Sequence, residues 1–326
     1  MLIADPTLVL AALLVALVLD GVIGDPPALY RRVQHPVVAI GRLVARLEAR
    51  WLMPGLLGRE LRRRGRAAGL IIAGVALLIG AGLQALCLAL PLGWLWLGIA
   101  MSSLVALRGL HDHVARVADG LGLGLEEGRR AVAHIVGRDP DSLDGHGIAR
   151  AAIESAAENF SDGVVAPLLW GALLGLPGML AYKAINTADS MIGHRSPRHL
   201  DFGRFSARLD DLVNWPAARL SGLLIVVAAG LLPGASGGGA WRAMVRDARR
   251  HRSPNAGWPE AAMAGALGLR LAGPRRYGGA LVPDAWMGEG RAEATPADIR
   301  HALRLMVAAA MATAALLAVA LSLTLS

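Results

Sequence analysis

Residues Arg150–Ser221 read RAAIESAAENFSDGVVAPLLWGALLGLPGMLAYKAINTADSMIGHRSPRHLDFGRFSARLDDLVNWPAARLS. An apolar run, Val164–Tyr182, separates two polar stretches rich in carboxylates and amides. Glu154, Glu158, Asn159, Ser161 and Asp162 precede it. Asn186, Asp189, Ser190 and Arg195 follow it, and then Asp210, Asp211 and Asn214. Charged groups at the edge of a membrane-like segment are costly to place there, which makes them functional candidates. Within the run, Gly175-Leu176-Pro177-Gly178 splits the segment into two short half-helices. Non-helical backbone at membrane depth persists only where protein or a water-lined cavity covers it, and broken helices often build binding sites.

Outward from this stretch, hydropathy predicts spans at about 8–23, 67–90, 94–107 and 303–325, long or apolar enough to enter a bilayer. The runs 164–182 and 220–232 are expected to be re-entrant or buried. The predicted fold is all-α: a polytopic integral membrane protein with broken helices and helical cytoplasmic segments, as a single domain over 1–326. Pro91 and Gly93 make the second and third spans a tight hairpin. Residues 28–66 hold ten arginines and residues 240–302 hold ten more. Basic segments resist translocation. With the N-terminus outside, segments 24–66, 108–163, 183–219 and 233–302 share the cytoplasmic side of the cell's inner membrane. All the carboxylate motifs are then expected on one face.

The composition agrees. The chain has 326 residues and is 55% hydrophobic, with mean hydropathy +0.48. That exceeds ordinary soluble domains. The net charge of +8 fits membrane orientation and contact with anionic lipid. Nucleic acid is not an expected partner, because Phe and Tyr number three each and no basic stripe interleaves with aromatics. Cys87 is the only cysteine, which excludes an intrachain disulfide and a cysteine-built zinc site. No cleavable signal peptide is expected, since Asp5 stands where a basic region would.

Glu154 and Glu158 are four apart and share a helix face, with Asp162 one turn further on. Like charges on one face repel unless a cation or substrate group lies between them. Asn186 and Asp189 are three apart. Asp210-Asp211 is followed one turn later by Asn214. Hard oxygen donors at these spacings suit Mg²⁺, which takes a few carboxylates together with phosphate oxygens. Ser253-Pro254-Asn255-Ala256-Gly257-Trp258-Pro259-Glu260 reads as a loop leading into a helix, with Pro259 in the first turn. Backbone amides there can hold an anion. Lys183, the sole lysine, precedes Ala184, so no P-loop is present.

Five motifs in order resemble the CobD/CbiB cobalamin-biosynthesis family, the adenosylcobinamide-phosphate synthases. They are Gly24-Asp25-Pro26 with His35-Pro36-Val37 and Ile40-Gly41; Glu154 through Asn159 with Ser161-Asp162-Gly163; Asn186-Thr187-Ala188-Asp189-Ser190-Met191; Ala207-Arg208-Leu209-Asp210-Asp211 with Asn214-Trp215; and Ser253 through Pro259. Phe160, where a small or hydroxyl residue is expected, is a minor departure. The resemblance implies a membrane enzyme that joins a corrin carboxylate to an amino-alcohol phosphate in an ATP-dependent amide bond. It implies Mg²⁺ as cofactor, ATP as co-substrate, and other corrin-pathway enzymes as further partners. On this reading Asp189, Asp210 and Asp211 hold the metal. Glu154 or Glu158, with Asp162, act in catalysis. Asp25, Asn159, Ser161, Asn186, Arg195, Asn214, Ser253 and Asn255 bind substrate or phosphate.

Rival classes are a secondary transporter, a Mg²⁺-dependent lipid-phosphate transferase and a noncatalytic corrin scaffold. The chain has no repeated halves, which weighs against the transporter. A scaffold has no need of paired acids.

Overall fold

The fold was obtained as a computed structural model that describes residues 5–53, 55–56, 58–135, 140–194, 196–277, 280–282 and 284–326. Among the described residues, six helical runs are long and apolar enough to cross a membrane: Pro6–Ile23, Gly58–Leu88, Gly93–Leu123, Gly145–Ile192, Arg204–Leu231 and Pro296–Leu325. The protein is an all-α polytopic membrane protein. Its outer surface carries large apolar side chains such as Leu78, Leu86, Val227 and Met311, which suits a chain whose solvent is partly lipid.

The chain divides into two compact units. One comprises Met1–Ala106, Ala166–Asn214 and Leu317–Ser326; the other comprises Leu107–Val165 and Trp215–Leu316. The first unit begins with α1 (Pro6–Ile23), α2 (Pro27–Tyr30), α3 (Pro36–Trp51), α4 (Gly58–Leu88) and α5 (Gly93–Ser102). Asp5 starts α1 by accepting the Thr7 N–H at 2.9 Å. Gly24, at φ 68°, ends it. α5 packs on α1. α4 begins at Gly58, so Arg59–Arg66 form its first two turns. Arginine is a good helix former, and the helix starts in the polar segment before the apolar run.

The second unit begins with α6 (Leu107–Leu123), α7 (Leu125–Val132) and α8 (Gly145–Phe160), which leads into a π-helical turn, Ser161–Val165. The chain then forms α9 (Ala166–Ile192) in the first unit. α9 is broken at Gly175, whose φ of 69° and ψ of −158° are non-helical. A left-handed φ is cheap only for glycine. Pro177 falls in the first turn of the second half, where its missing N–H is no loss. The break is sealed from α4: Gln84 Oε1 accepts the Leu176 N–H at 2.9 Å, with both groups buried. α4 and α9 form the main packing of this unit, with α3 against both.

α10 (Arg204–Leu231) is one continuous helix. The apolar stretch expected from 220 is its second half. Residues 204–214 belong to the first unit and 215–231 to the second. α11 (Gly237–Asp247) and α12 (Gly257–Leu267) pack as a pair, and α12 also meets α8. After α12 come four short strands: β1 (Leu271–Ala272), β2 (Arg275–Tyr277), β3 (Ala280–Val282) and β4 (Trp286–Met287). β1 pairs antiparallel with β4, and β2 with β3. They lie in the polar segment 233–302, where the all-α expectation has helical cytoplasmic segments and no strands. α13 (Pro296–Leu325) ends the chain.

Candidate functional site

In the first unit the second half of α9 presents Tyr182, Asn186 and Asp189 along one stripe, at i, i+4 and i+7. The first half of α10 presents Asp210, Asp211 and Asn214. Trp170 Nε1 donates to the Val213 carbonyl at 3.0 Å and holds the two helices in register. A hydrogen-bonded chain then links them. The Tyr182 hydroxyl donates to Asn214 Oδ1 at 2.8 Å. Asn214 Nδ2 donates to Asp210 Oδ2 at 2.9 Å. Asn186 Nδ2 donates to Asp210 Oδ1 at 3.2 Å. Tyr182 and Asn214 are each 1% exposed and Asp210 is 9% exposed.

Asp210 therefore takes an amide on each oxygen but receives no positive charge from them. Asp189 and Asp211 are near enough to act on it and on each other electrostatically. The Asp189 carboxylate lies directly over Gly193, where a Cβ would collide with it. Asp210 is buried, Asp189 half-buried and Asp211 exposed, and a buried carboxylate with no cationic partner is costly. Among the described residues, no group of three or more His, Cys, Asp or Glu side chains is arranged to hold a metal ion. Carboxylate oxygens are the donor type that Mg²⁺ takes alongside waters and substrate oxygens.

Asp25 sits where α1 gives way to α2. His35 Nδ1 accepts the Val37 N–H at 3.2 Å and starts α3. Its Nε2 lies 3.5 Å from Asp25 Oδ1. The Tyr30 ring tilts against His35 with centroids 4.5 Å apart. Burial and the Asp25 carboxylate push the Tyr30 hydroxyl up to about 12, so it remains a donor. Arg195 lies outside the described residues.

In the second unit, α8 and the π turn carry the other acids. Glu154 is buried, and its Oε1 accepts the Ala272 N–H at 2.8 Å. Ala272 has φ of 60°, a rare conformation for alanine, at the end of β1. Glu154 thus fixes a backbone bend. Glu158 and Asn159 are exposed and Asp162 is half-buried. Asn159 Nδ2 donates to the Ser155 carbonyl at 2.9 Å and to its hydroxyl at 3.1 Å. Ser161 Oγ is buried with no hydrogen-bond partner among the described residues. It opens the π turn, a local widening of the helix often found at functional sites.

The 253–260 segment has its own order. Ser253 Oγ accepts the N–H groups of Asn255 and Ala256, each at 3.2 Å. Asn255 Oδ1 accepts from Arg219 Nη1 at 3.0 Å. The Arg219 guanidinium lies over the rings of Trp215 and Trp258, at 4.4 and 4.6 Å from their centroids. His251 Nε2 is 3.7 Å from Glu260 Oε2. Sequence reasoning missed Tyr182 and Arg219. Tyr182 had a usable signal, its four-residue spacing from Asn186. Arg219 had none, because arginine is common throughout the chain.

The family profile described as CobD/Cbib protein matches residues 13–306. Among curated relatives, a Sinorhizobium protein named "Cobalamin biosynthesis protein CobD" is 54% identical over 295 residues, covering 89% of this chain and 91% of its own. A Rhodobacter capsulatus protein of the same name is 50% identical over 299 residues, covering 90% of this chain and 92% of its own. No solved structure gives a significant match. Asp25, the Glu154–Asp162 segment, Asp189 and the Asp210–Asn214 segment all lie inside the matched region, and the chain belongs to the CobD/CbiB family.

Proposed function

We propose that the chain catalyses the ATP-dependent ligation of (R)-1-amino-2-propanol O-phosphate, or a related amino alcohol, to the free carboxylate of adenosylcobyric acid. The product is adenosylcobinamide phosphate. The observation that carries this reading is the Asp210 centre, in which Asn186 and Asn214 hold a buried carboxylate beside Asp189 and Asp211. Family membership supplies the corrin side of the proposal.

A carboxylate is a poor acyl donor at neutral pH. It must take a phosphoryl or adenylyl group from ATP, releasing ADP or pyrophosphate. The amine then displaces phosphate or AMP, forms the amide and loses a proton. Asp189, Asp210 and Asp211 would hold Mg²⁺, which would supply neutralisation of polyphosphate charge. Asn186 and Asn214 hold the Asp210 carboxylate in one orientation, and Tyr182 fixes the Asn214 amide. Glu158 is the candidate base for the ammonium proton, since its carboxylate is exposed. Glu154 positions β1. Asp162, Asn159 and Ser161 line the same helical segment and suit substrate binding, as do Asp25, Ser253 and Asn255. The Arg-rich segments support an active face on the cytoplasmic side of the inner membrane, because basic segments resist translocation.

The test is amide formation by detergent-solubilised protein from a corrin monocarboxylate, amino-alcohol phosphate, ATP and Mg²⁺. A transporter needs compartments and gives no chemistry here. A scaffold binds corrin and leaves ATP intact. No product with any candidate amine, from protein that remains folded, overturns the proposal.

A further inference from the structure

Outside this centre, the first unit carries a second charged feature. Arg62 and Arg66 are four apart on α4, and Arg204 and Arg208 are four apart on α10. With Asp201 and Phe205 they line a cavity of about 440 Å³. Close packing brings the two pairs together. Gly65 lies against the Phe202 backbone, and a Cβ on Gly69 would come within 2.6 Å of the Phe205 ring. This small-xxx-small spacing lets two chain segments approach closely at membrane depth.

Charge in this cavity is unbalanced. Asp201 Oδ1 accepts from Arg62 Nη1 at 2.9 Å. Arg66, Arg204 and Arg208 make no hydrogen bond or ion pair among the described residues. One carboxylate thus faces four guanidiniums. Like charges at i, i+4 destabilise a helix, and here both pairs do so around one hollow. A guanidinium presents a planar fork that matches phosphate oxygens. One helical turn beyond Arg66, Leu70 is 53% exposed; one turn beyond Arg208, Leu212 is 68% exposed. The arginines therefore sit at the rim of an exposed apolar belt, where a bilayer changes from headgroup to hydrocarbon.

We infer that Arg62, Arg66, Arg204 and Arg208 form a binding site for a phosphate group at the membrane surface. The exposed leucines beneath them point to the headgroup of an anionic phospholipid, with the acyl chains along Leu70 and Leu212. The site is independent of the ligase reading, because it uses none of the residues assigned to that chemistry.

The experiment compares wild type with Arg204→Gln/Arg208→Gln in nanodiscs of phosphatidylcholine alone and with added phosphatidylglycerol. The readouts are thermal unfolding and native mass spectrometry of retained lipid. Phosphatidylglycerol is expected to raise the wild-type midpoint and to remain bound. The double variant should lose both effects, with affinity down by about 30-fold. Arg59→Gln, on the same helix but outside the cavity, should behave as wild type. A second arm adds inorganic phosphate in detergent. Protection by phosphate without protection by the lipid, lost in the double variant, supports the phosphate site and assigns it a soluble ligand. Where the double variant does not purify folded, Arg66→Lys takes its place. It keeps the charge and loses the fork, so affinity should fall several-fold. Equal responses of variants and wild type to both ligands overturn the inference.

Discussion

Gln84 and Leu176 meet across 2.9 Å, side-chain carbonyl to backbone N–H, and this one bond closes the gap that Gly175 opens in α9. The N–H is buried and has lost its helical acceptor. Replacing Gln84 by Met, of similar size but with no acceptor, should cost about 1–3 kcal/mol. Gly175→Ala should be worse, since alanine resists the positive φ and its Cβ collides with Gln84. Thermal unfolding in detergent checks both. A Gln84→Met midpoint equal to wild type means water satisfies Leu176.

The Asp210 centre gives a prediction of a different kind. Asp210→Asn keeps shape but offers only one accepting oxygen to two amide donors. It removes a charge that a cation would use. Mg²⁺-nucleotide binding should fall by roughly tenfold or more, in keeping with about 1.5–3 kcal/mol for a hydrogen bond to a charged group. Asp189→Asn should act in the same direction with less effect on folding, because no hydrogen bond within the described residues holds its side chain. Tyr182→Phe tests the orienting chain: binding should weaken modestly, since Asn214 keeps its own bond to Asp210. Titration of Mg²⁺ by calorimetry separates the cases. Curves for both Asp variants that superpose on wild type assign these acids to structure.

An ion pair outside the spans sets an acid limit. Glu48 Oε1 accepts from Arg198 Nη2 at 2.8 Å and from His199 Nε2 at 2.9 Å. Burial acts to raise the Glu48 carboxyl, but the hydrogen bonds and charges of His199 and Arg198 outweigh it and hold the group below its usual range. A depressed folded value adds stability that is present above the unfolded value, about 4.3, and lost as pH falls through the folded one. Wild type should therefore lose stability faster than Glu48→Gln below about pH 4. Unfolding midpoints measured from pH 6 to 3 test this. Parallel curves would assign the acid limb to other groups.

Much of the fold is legible because hydropathy is a strong signal. The apolar runs and the Gly175–Gly178 interruption define an all-α membrane protein, and the break in α9 falls where glycine and proline stand. Its partner is not legible, because Gln84 is 92 residues away and looks like a stray polar residue in an apolar span. The reach of α10 back to Arg204 is hidden for a related reason: Asp210, Asp211 and Asn214 interrupt the hydropathy, although Asp210 and Asn214 are buried and hydrogen-bonded to each other and to α9, while Asp211 is exposed. The candidate acids could be picked out by cost alone. Their individual roles could not. Glu154 and Glu158 are equivalent in spacing, yet one bonds to Ala272 and the other is exposed. Ser253 and Asn255 read as an anion loop, and in the structure their oxygens accept from local N–H groups and from Arg219.

The contrast between Glu154 and Glu158 carries the last prediction. Glu154→Gln keeps an oxygen for the Ala272 N–H and should remain folded. Glu154→Ala leaves that N–H unpaired and should cost about 1–3 kcal/mol. Glu158 has an exposed carboxylate, so Glu158→Gln should leave stability unchanged within about 0.5 kcal/mol. If Glu158 accepts the ammonium proton, the same substitution removes general base catalysis, about 10²–10⁴-fold in kcat, while KM for the corrin stays near wild type. The loss should shrink as pH rises, because a larger fraction of the amine is then already deprotonated. That pH profile separates a base from a group that only shapes the site, whose loss would lower the rate equally at every pH. Amide formation by Glu158→Gln at the wild-type rate across the profile removes this residue from the mechanism and leaves Asp162 as the next carboxylate on the same segment to test.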